Sequence, residues 1–264
     1  AFLISVGADK FVMTIDSSLL NDTWTYTVDV TFSRLFYTSQ TVTVTVYIAS
    51  IPTVLLASST SLTTEWGLTV NISFWYNRTD KAVPKGVSGA TTSYVVYHPN
   101  GSSLLSGVLN ETSTDGYYWL YLNSSWFVNG SNTVLGMYRI HVVFDRDHFE
   151  SQSMDIYWTI EEVSTMAYAQ PESLNVTWND TATVDLYYIR SRDSAFVGDA
   201  SWSVSVSPVN KTEAFPISVG ADKFVMTIDS SLLNDTWTYT VDVTFSRLFY
   251  TSQTVSVTVY IASI

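Results

Sequence analysis

The sequence predicts an all-β chain built from serial sandwich domains, and three observations carry that prediction. Period-two alternation of apolar and polar residues recurs along most of the chain, in short runs separated by turn residues. Stretches with apolar residues at i, i+3, i+4 and i+7 over three turns are absent. A long block also occurs twice. Residues 1–51 return at 214–264, an offset of 213, with only Leu3 replaced by Pro216 and Thr43 by Ser256.

The first strand with clear alternation places Tyr26, Val28, Val30 and Phe32 on one face and Thr27, Asp29 and Thr31 on the other. Residues 41–48 repeat the pattern with Val42, Val44, Val46 and Ile48 inward. Further along come Leu68, Val70, Ile72 and Phe74, then Tyr138, Ile140, Val142 and Phe144. Met154, Ile156, Trp158 and Ile160 follow, then Val184, Leu186 and Tyr188, then Trp202, Val204 and Val206. One apolar face per strand is the mark of antiparallel sheet packed on one side and solvated on the other. Thr, Val, Tyr and Trp suit such a surface.

A weaker repeat lies inside the long one. Residues 144–153 (FDRDHFESQS) align with 245–254 (FSRLFYTSQT), an offset of 101, and Leu122-Asn-Ser-Ser125 aligns with Ile228-Asp-Ser-Ser231. The 213-residue unit therefore holds two diverged domains, a first type over 52–162 and a second over 163–264. Residues 1–51 are then the C-terminal half of a domain of the second type. About seven short strands per domain is the count of an immunoglobulin-like sandwich, so the fold class is all-β with tandem immunoglobulin-like β-sandwich domains. Half a sandwich leaves strand edges and an apolar face unpaired, so this segment reads as a window on a longer array.

The run Gly116-Tyr-Tyr, then Leu122-Asn-Ser-Ser, a turn, Tyr138-Arg-Ile-His-Val-Val-Phe144 and Phe149-Glu-Ser-Gln-Ser153 resembles immunoglobulin-like repeats of large archaeal and bacterial surface proteins. The second type departs from it, with Asp222-Lys-Phe224 where Gly116-Tyr-Tyr118 stands. The resemblance implies a structural or adhesive role and transfers no catalytic residue.

Composition narrows the class further. Among 264 residues there are 12 Lys and Arg against 24 Asp and Glu, a formal charge of −12, which opposes binding to nucleic acid or anionic lipid. There is no Cys, so disulfides, thiolate metal sites and thiol nucleophiles are excluded together. With 46% hydrophobic and 15% aromatic residues the chain has material for full-sized cores. It opens directly on a strand-like stretch without a signal peptide, and no run of 18 apolar residues occurs, so any leader or anchor is expected outside this segment.

The strongest functional signal is in the asparagines. Eleven of the twelve sit in Asn-x-Ser/Thr with x not Pro: Asn21, Asn71, Asn77, Asn100, Asn110, Asn123, Asn129, Asn175, Asn179, Asn210 and Asn234. Only Asn132 does not, whereas 70 Ser and Thr scattered at random would place a hydroxyl two residues on for about three of them. Turn chemistry favours Asn and Ser but requires no hydroxyl at i+2, so the pattern points to N-glycan acceptors. Asn71 and Asn175 fall on polar strand faces, and Asn21, Asn129 and Asn179 in turn-like stretches.

Other candidates read as structure. His141, Asp145, Asp147, His148 and Glu150 could ligate a divalent metal, but His141 is on an outward strand face, the acids follow in a turn, and the aligned segment keeps neither His. Gly86-Val-Ser-Gly89 lacks the spacing of a nucleophile elbow. Glu161-Glu162 falls at a domain junction, and Arg146 and Arg247 align before aromatic residues. Trp75, Trp119, Trp126, Trp158 and Trp178 are read first as core and packing residues, with a sugar platform as the second reading.

The sequence therefore points to a repeat segment of an extracellular cell-surface filament, stalk or surface-layer glycoprotein. The alternative is an adhesin repeat that binds carbohydrate or a partner cell surface. Expected partners are neighbouring copies of the same repeat, in one giant chain or a homo-polymer, and N-linked glycans. No cofactor, metal or catalytic residue is expected, nor contact with nucleic acid or membrane within the segment.

Overall fold

The structure is a computed structural model that describes residues 2–6, 10–20, 24–127, 135–234 and 236–263. Its first strands are β1 (Phe2–Val6), β2 (Phe11–Ile15), β3 (Thr25–Phe32) and β4 (Gln40–Tyr47). Next come β5 (Thr53–Ala57), β6 (Ser61–Glu65), β7 (Thr69–Arg78), β8 (Lys85–Gly86), β9 (Thr91–Tyr97) and β10 (Ser103–Gly107). They are followed by β11 (Asn110–Glu111), β12 (Tyr117–Asn123), β13 (Gly136–Asp145) and β14 (Gln152–Glu161). The last group is β15 (Thr165–Gln170), β16 (Ser173–Thr177), β17 (Thr181–Arg190), β18 (Ser201–Ser207), β19 (Ile217–Val219), β20 (Phe224–Asp229), β21 (Thr238–Arg247) and β22 (Tyr250–Ala262). Helical geometry among the described residues is confined to 3-10 turns of three or four residues.

Strands β15–β22 form two four-stranded sheets, ordered β15-β17-β20-β19 and β16-β22-β21-β18. In immunoglobulin lettering these are A-B-E-D and A′-G-F-C. All pairings are antiparallel except β16 with β22, which is parallel, as an A′ strand alongside G requires. Between the sheets lie Val184, Leu186, Tyr188, Phe224, Met226, Tyr239, Val241, Val243, Phe245 and Val257, all fully buried. Tyr239 sits at the start of β21 and its phenol accepts from the Asn234 backbone N–H at 3.0 Å, the tyrosine corner of this fold.

Strands β5–β14 repeat the plan. The sheet β11-β12-β7-β5 is D-E-B-A, and β10-β9-β13-β14-β6 adds C′ to C-F-G and closes with the short A′ strand. Phe144 is the hub of this core, with Phe74, Tyr76 and Tyr118 rings at 5.8, 5.5 and 5.1 Å. Its aligned counterpart Phe245 holds the same place, with Tyr188 at 5.4 Å and Phe224 at 4.8 Å. A buried serine also recurs. Ser230 donates to the Thr177 and Asp180 carbonyls and accepts from Asp180 N–H at 2.9 Å, while Ser124 donates to Leu68 O and accepts from Gly67 N–H at 2.7 Å. Each serine pins the turn between strands A′ and B to the end of strand E. Within these two sandwiches, Leu68, expected inward, precedes β7 and is 36% exposed, while Trp202 at the start of β18 is also 36% exposed although its ring meets Phe224 at 5.3 Å.

By its contacts the chain divides into two units, residues 1–62, 69–123 and 137–158 in one and 63–68, 124–136 and 159–264 in the other. Within the second, Trp66 stacks on Phe249 at 4.7 Å and Arg192 pairs with Glu65 at 2.9 Å, so the 63–68 turn groups with it.

Strands β1–β4 form only the hairpins β1-β2 and β3-β4. These correspond to D-E and F-G of the second type, and among the described residues A, A′, B and C have no counterpart joined to them. The consequence is plain in exposure. Phe224 is 0% exposed and its copy Phe11 is 55%; Val255 and Val257 are 8% and 0% exposed, and their copies Val42 and Val44 are 52% and 36%.

Candidate functional site

The described asparagines of the Asn-x-Ser/Thr motifs lie at the surface. Asn71, Asn100, Asn110, Asn175, Asn179, Asn210 and Asn234 are exposed, and Asn77 and Asn123 are half-buried. Asn21 and Asn129 lie outside the described residues. Four are on loops or turns: Asn100, Asn179 in the left-handed region at φ 69°, Asn210 and Asn234. The other five are inside strands, and each is on the face turned away from the core, because period-two alternation puts Val70, Ile72, Tyr118 and Leu122 inward.

The outer face of the β11-β12-β7-β5 sheet is the most distinctive surface. Trp75, Tyr117, Trp119 and Tyr121 alternate outward along β7 and β12, with Trp75 38% and Tyr121 43% exposed. Trp75 and Tyr117 rings meet at 5.3 Å, and the Tyr117 hydroxyl bonds Ser73 Oγ at 2.7 Å. Register then interleaves asparagines of the Asn-x-Ser/Thr motifs with these rings. Asn71 faces Tyr121 across the strands, and Asn110 faces Trp119. Asn77 follows Trp75, and Asn123 follows Tyr121, by two residues on the same face. Trp158, grouped with them by sequence, is fully buried and belongs to the core.

The His/acid segment is dispersed by its geometry. His141 Nδ1 bonds Asp155 Oδ1 at 2.7 Å across β13 and β14, and Asp155 is also 3.5 Å from Arg139, which lies over the Tyr97 ring. Asp145 instead accepts from the Ser151 hydroxyl. His148 takes the left-handed turn position at φ 71°, as Phe249 does at 69° in the aligned turn. No cluster of three potential metal ligands occurs among the described residues. Arg146 donates to Gly89 O at 2.5 Å, and Arg247 bridges to Asp199 at 2.6 Å while lying over Tyr250, so both arginines brace loops.

Burial sets the ionisation of the core phenols. Tyr118 donates to Val87 O and accepts from Ala90 N–H, both at 3.0 Å, and desolvation pushes its pKa up to about 12. Desolvation likewise raises Tyr76, Tyr94 and Tyr188.

No protein-family model matches the chain, and no curated protein matches it. Among solved structures it is similar to domains 4 and 5 of the S-layer protein SbsC, at 13% identity and TM-score 0.33, covering 73% of this chain and 82% of that one. It is also similar to the I-band fragment I67–I69 of titin, at 7% identity and TM-score 0.33, over 100% and 82% of the two chains. The adhesin InvE of Yersinia pseudotuberculosis matches at 11% identity and TM-score 0.30, over 78% and 58%. The immunoglobulin-like assignment rests on the strand order and pairing above. No helix among the described residues is long and apolar enough to cross a membrane.

Proposed function

We propose that this chain is a segment of an extracellular, N-glycosylated structural array, in which sandwiches of two alternating types follow one another over 52–162 and 163–264. Residues 1–51 are the second half of another second-type sandwich. One observation carries the reading: the same 51-residue sequence is closed into a core in one place and open in the other. Phe11 meets Phe32 at 4.8 Å, as Phe224 meets Phe245, but the Phe196 and Trp202 rings that cover Phe224 at 5.2 and 5.3 Å come from the 163–213 segment, which has no copy ahead of residue 1. The occupant that fits the open face is therefore a segment like 163–213 from a neighbouring copy, in the same longer chain or in an adjoining subunit by strand addition. Near-identity of the copies suits a shaft of uniform parts, and the proposed activity is mechanical and protective, without catalysis.

Imaging of the native assembly tests this. The expected result is a beaded fibre or lattice with about 213 residues in each two-bead repeat and glycan density at the acceptor asparagines. Residues 1–51 closed into a sandwich on their own, or a globular monomer in the native sample, would sink it. A second reading, a carbohydrate-binding adhesin repeat, is favoured by the aromatic face around Trp75 and Trp119, and the next experiment separates the two.

A further inference from the structure

We propose that the outer aromatic face of the β11-β12-β7-β5 sheet is covered by the chain's own N-linked sugars, each stacked on a ring that register places beside its asparagine. This rests on the reading of the chain as a glycoprotein and specifies what its strand-borne glycans do.

All five in-strand acceptors among the described residues have an aromatic neighbour on the outward face. Asn71 lies opposite Tyr121, Asn110 opposite Trp119, and Asn175 opposite Tyr260, which is 45% exposed. Asn77 and Asn123 stand two residues after Trp75 and Tyr121. Directly opposed Cβ atoms are about 5 Å apart, and same-face neighbours along a strand about 7 Å. A pyranose joined to Nδ2 begins within one ring's width of the aromatic face. In forming that bond, the amide nitrogen attacks C1 of a phosphate-activated oligosaccharide, the C1–O bond to the carrier phosphate breaks, and the amide proton leaves with the carrier.

The chemistry of the face selects the occupant. Its outward positions on β7 and β12 carry Thr69, Asn71, Ser73, Trp75, Asn77 and then alternating aromatics, with no charged side chain. An uncharged bed of rings and hydroxyls suits the C–H face of a sugar and offers nothing to an ionic partner. Four acceptors within one sheet would also bar a flat protein surface, because glycans are bulky. Recurrence in the second-type sandwich, on a different sheet and a different strand pair, is a further argument. Asn175 and Tyr260 meet there across the parallel β16-β22 ladder.

The test uses protein from cells that glycosylate it. Occupancy is read by glycopeptide mass spectrometry, and ring cover by hydroxyl-radical footprinting, in the parent and in a double variant Asn71→Gln/Asn110→Gln. Hydrogen exchange on β13 and β14 monitors the fold. With both sites occupied in the parent, oxidation of Trp119 and Tyr121 is expected to rise about threefold in the variant as the bulky cover is lost, with Trp202 unchanged. Occupied sites and unchanged labelling would overturn the stacking while leaving the glycoprotein reading intact. Empty sites at Asn71 and Asn110 with other motifs occupied would overturn the cover alone, and unmodified asparagines at all eleven motifs would overturn both. Protection of Trp119 in the glycosylated parent by added soluble polysaccharide would show an open face that binds foreign sugar, and would overturn the cover in favour of adhesion.

Discussion

Two phenylalanines with the same sequence around them give the sharpest test of the open half-domain. Phe224 is 0% exposed and its copy Phe11 is 55% exposed. Phe224 packs against Phe196, Trp202 and Phe245, whereas Phe11 keeps only the counterpart of the last, Phe32. Truncating a fully buried Phe to Ala costs about 3–5 kcal/mol, transfer and cavity terms together. Full burial of a Phe contributes about 1.5–3 kcal/mol and Phe11 is a little less than half covered, with no closed cavity to leave behind, so Phe11→Ala should cost about 1 kcal/mol or less. Joining a second copy of residues 163–213 ahead of Ala1 restores strands A, A′, B and C, because in the intact domain that segment runs directly into Ala214. In that longer chain Phe11→Ala should cost about as much as Phe224→Ala, again about 3–5 kcal/mol.

Hydrogen exchange followed by mass spectrometry under graded urea reads each copy separately. Peptides spanning Leu3 or Pro216, and Thr43 or Ser256, differ in mass and identify which copy they report. Equal losses for Phe11→Ala and Phe224→Ala in the 264-residue chain would refute the reasoning. So would a loss at Phe11 that does not grow when the extra segment is present.

Three further outcomes are expected. Ser230→Ala and Ser124→Ala each strand the backbone groups of a buried turn and should cost about 1–3 kcal/mol by urea titration, while Ser17→Ala, the exposed copy of the first, should cost nothing measurable in this chain. The Tyr118 phenol is held at about 12 against an ordinary 10.0, so its contribution is fully present below pH 10. Between pH 10 and about 12 the unfolded chain releases this proton and the folded chain does not, so stability falls as pH rises, and Tyr118→Phe should flatten that slope in melting curves. His141→Ala should lower stability by under about 1 kcal/mol, since its pairing with Asp155 is a partly exposed surface contact, and a larger loss in urea titration would mark a role beyond that pair.

Much of the fold was legible because period-two patterning is a local signal. Ile72, Phe74, Ile140, Val142, Ile156 and Trp158 read as inward, and all are buried. The pairing of strands into two sheets was not legible at that level, since nothing in residues 173–177 announces a parallel partner at 258–262. The asparagines were legible as Asn-x-Ser/Thr motifs, and Trp75 and Tyr121 stand two residues before Asn77 and Asn123 in the sequence, but the cross-strand neighbours were not legible. Asn71 and Tyr121 are 50 residues apart and meet only through the β7-β12 register. The tryptophans sort by alternation and not by residue type: Trp158 shares a face with Ile156 and is buried, while Trp75 follows inward Phe74 and is 38% exposed.

The duplicated block separates what a hairpin encodes locally from what the rest of a sandwich supplies. Register is local: Ile4 faces Met13 as Ile217 faces Met226, and Val28 faces Val44 as Val241 faces Val257. The cross-strand bond Thr31–Thr41 recurs as Thr244–Thr254, both at 2.8 Å. Even the two differences obey local rules. Thr43 donates to Asp29 at 2.6 Å and Ser256 to Asp242 at 2.5 Å, so that exchange keeps the hydroxyl the ladder uses. Pro216 brings no N–H, and β19 begins after it and spans three residues where β1 spans five, although the Pro216 carbonyl still accepts from Thr227 N–H at 2.9 Å. Burial is the property that does not transfer. The same hairpins leave Phe11 and Val42 exposed and hide Phe224 and Val255, and the cover of the second copy comes from residues 163–213. Near-identity of the two copies keeps each hairpin pair competent for the same cover, which is what the proposed serial array would require at each of its joints.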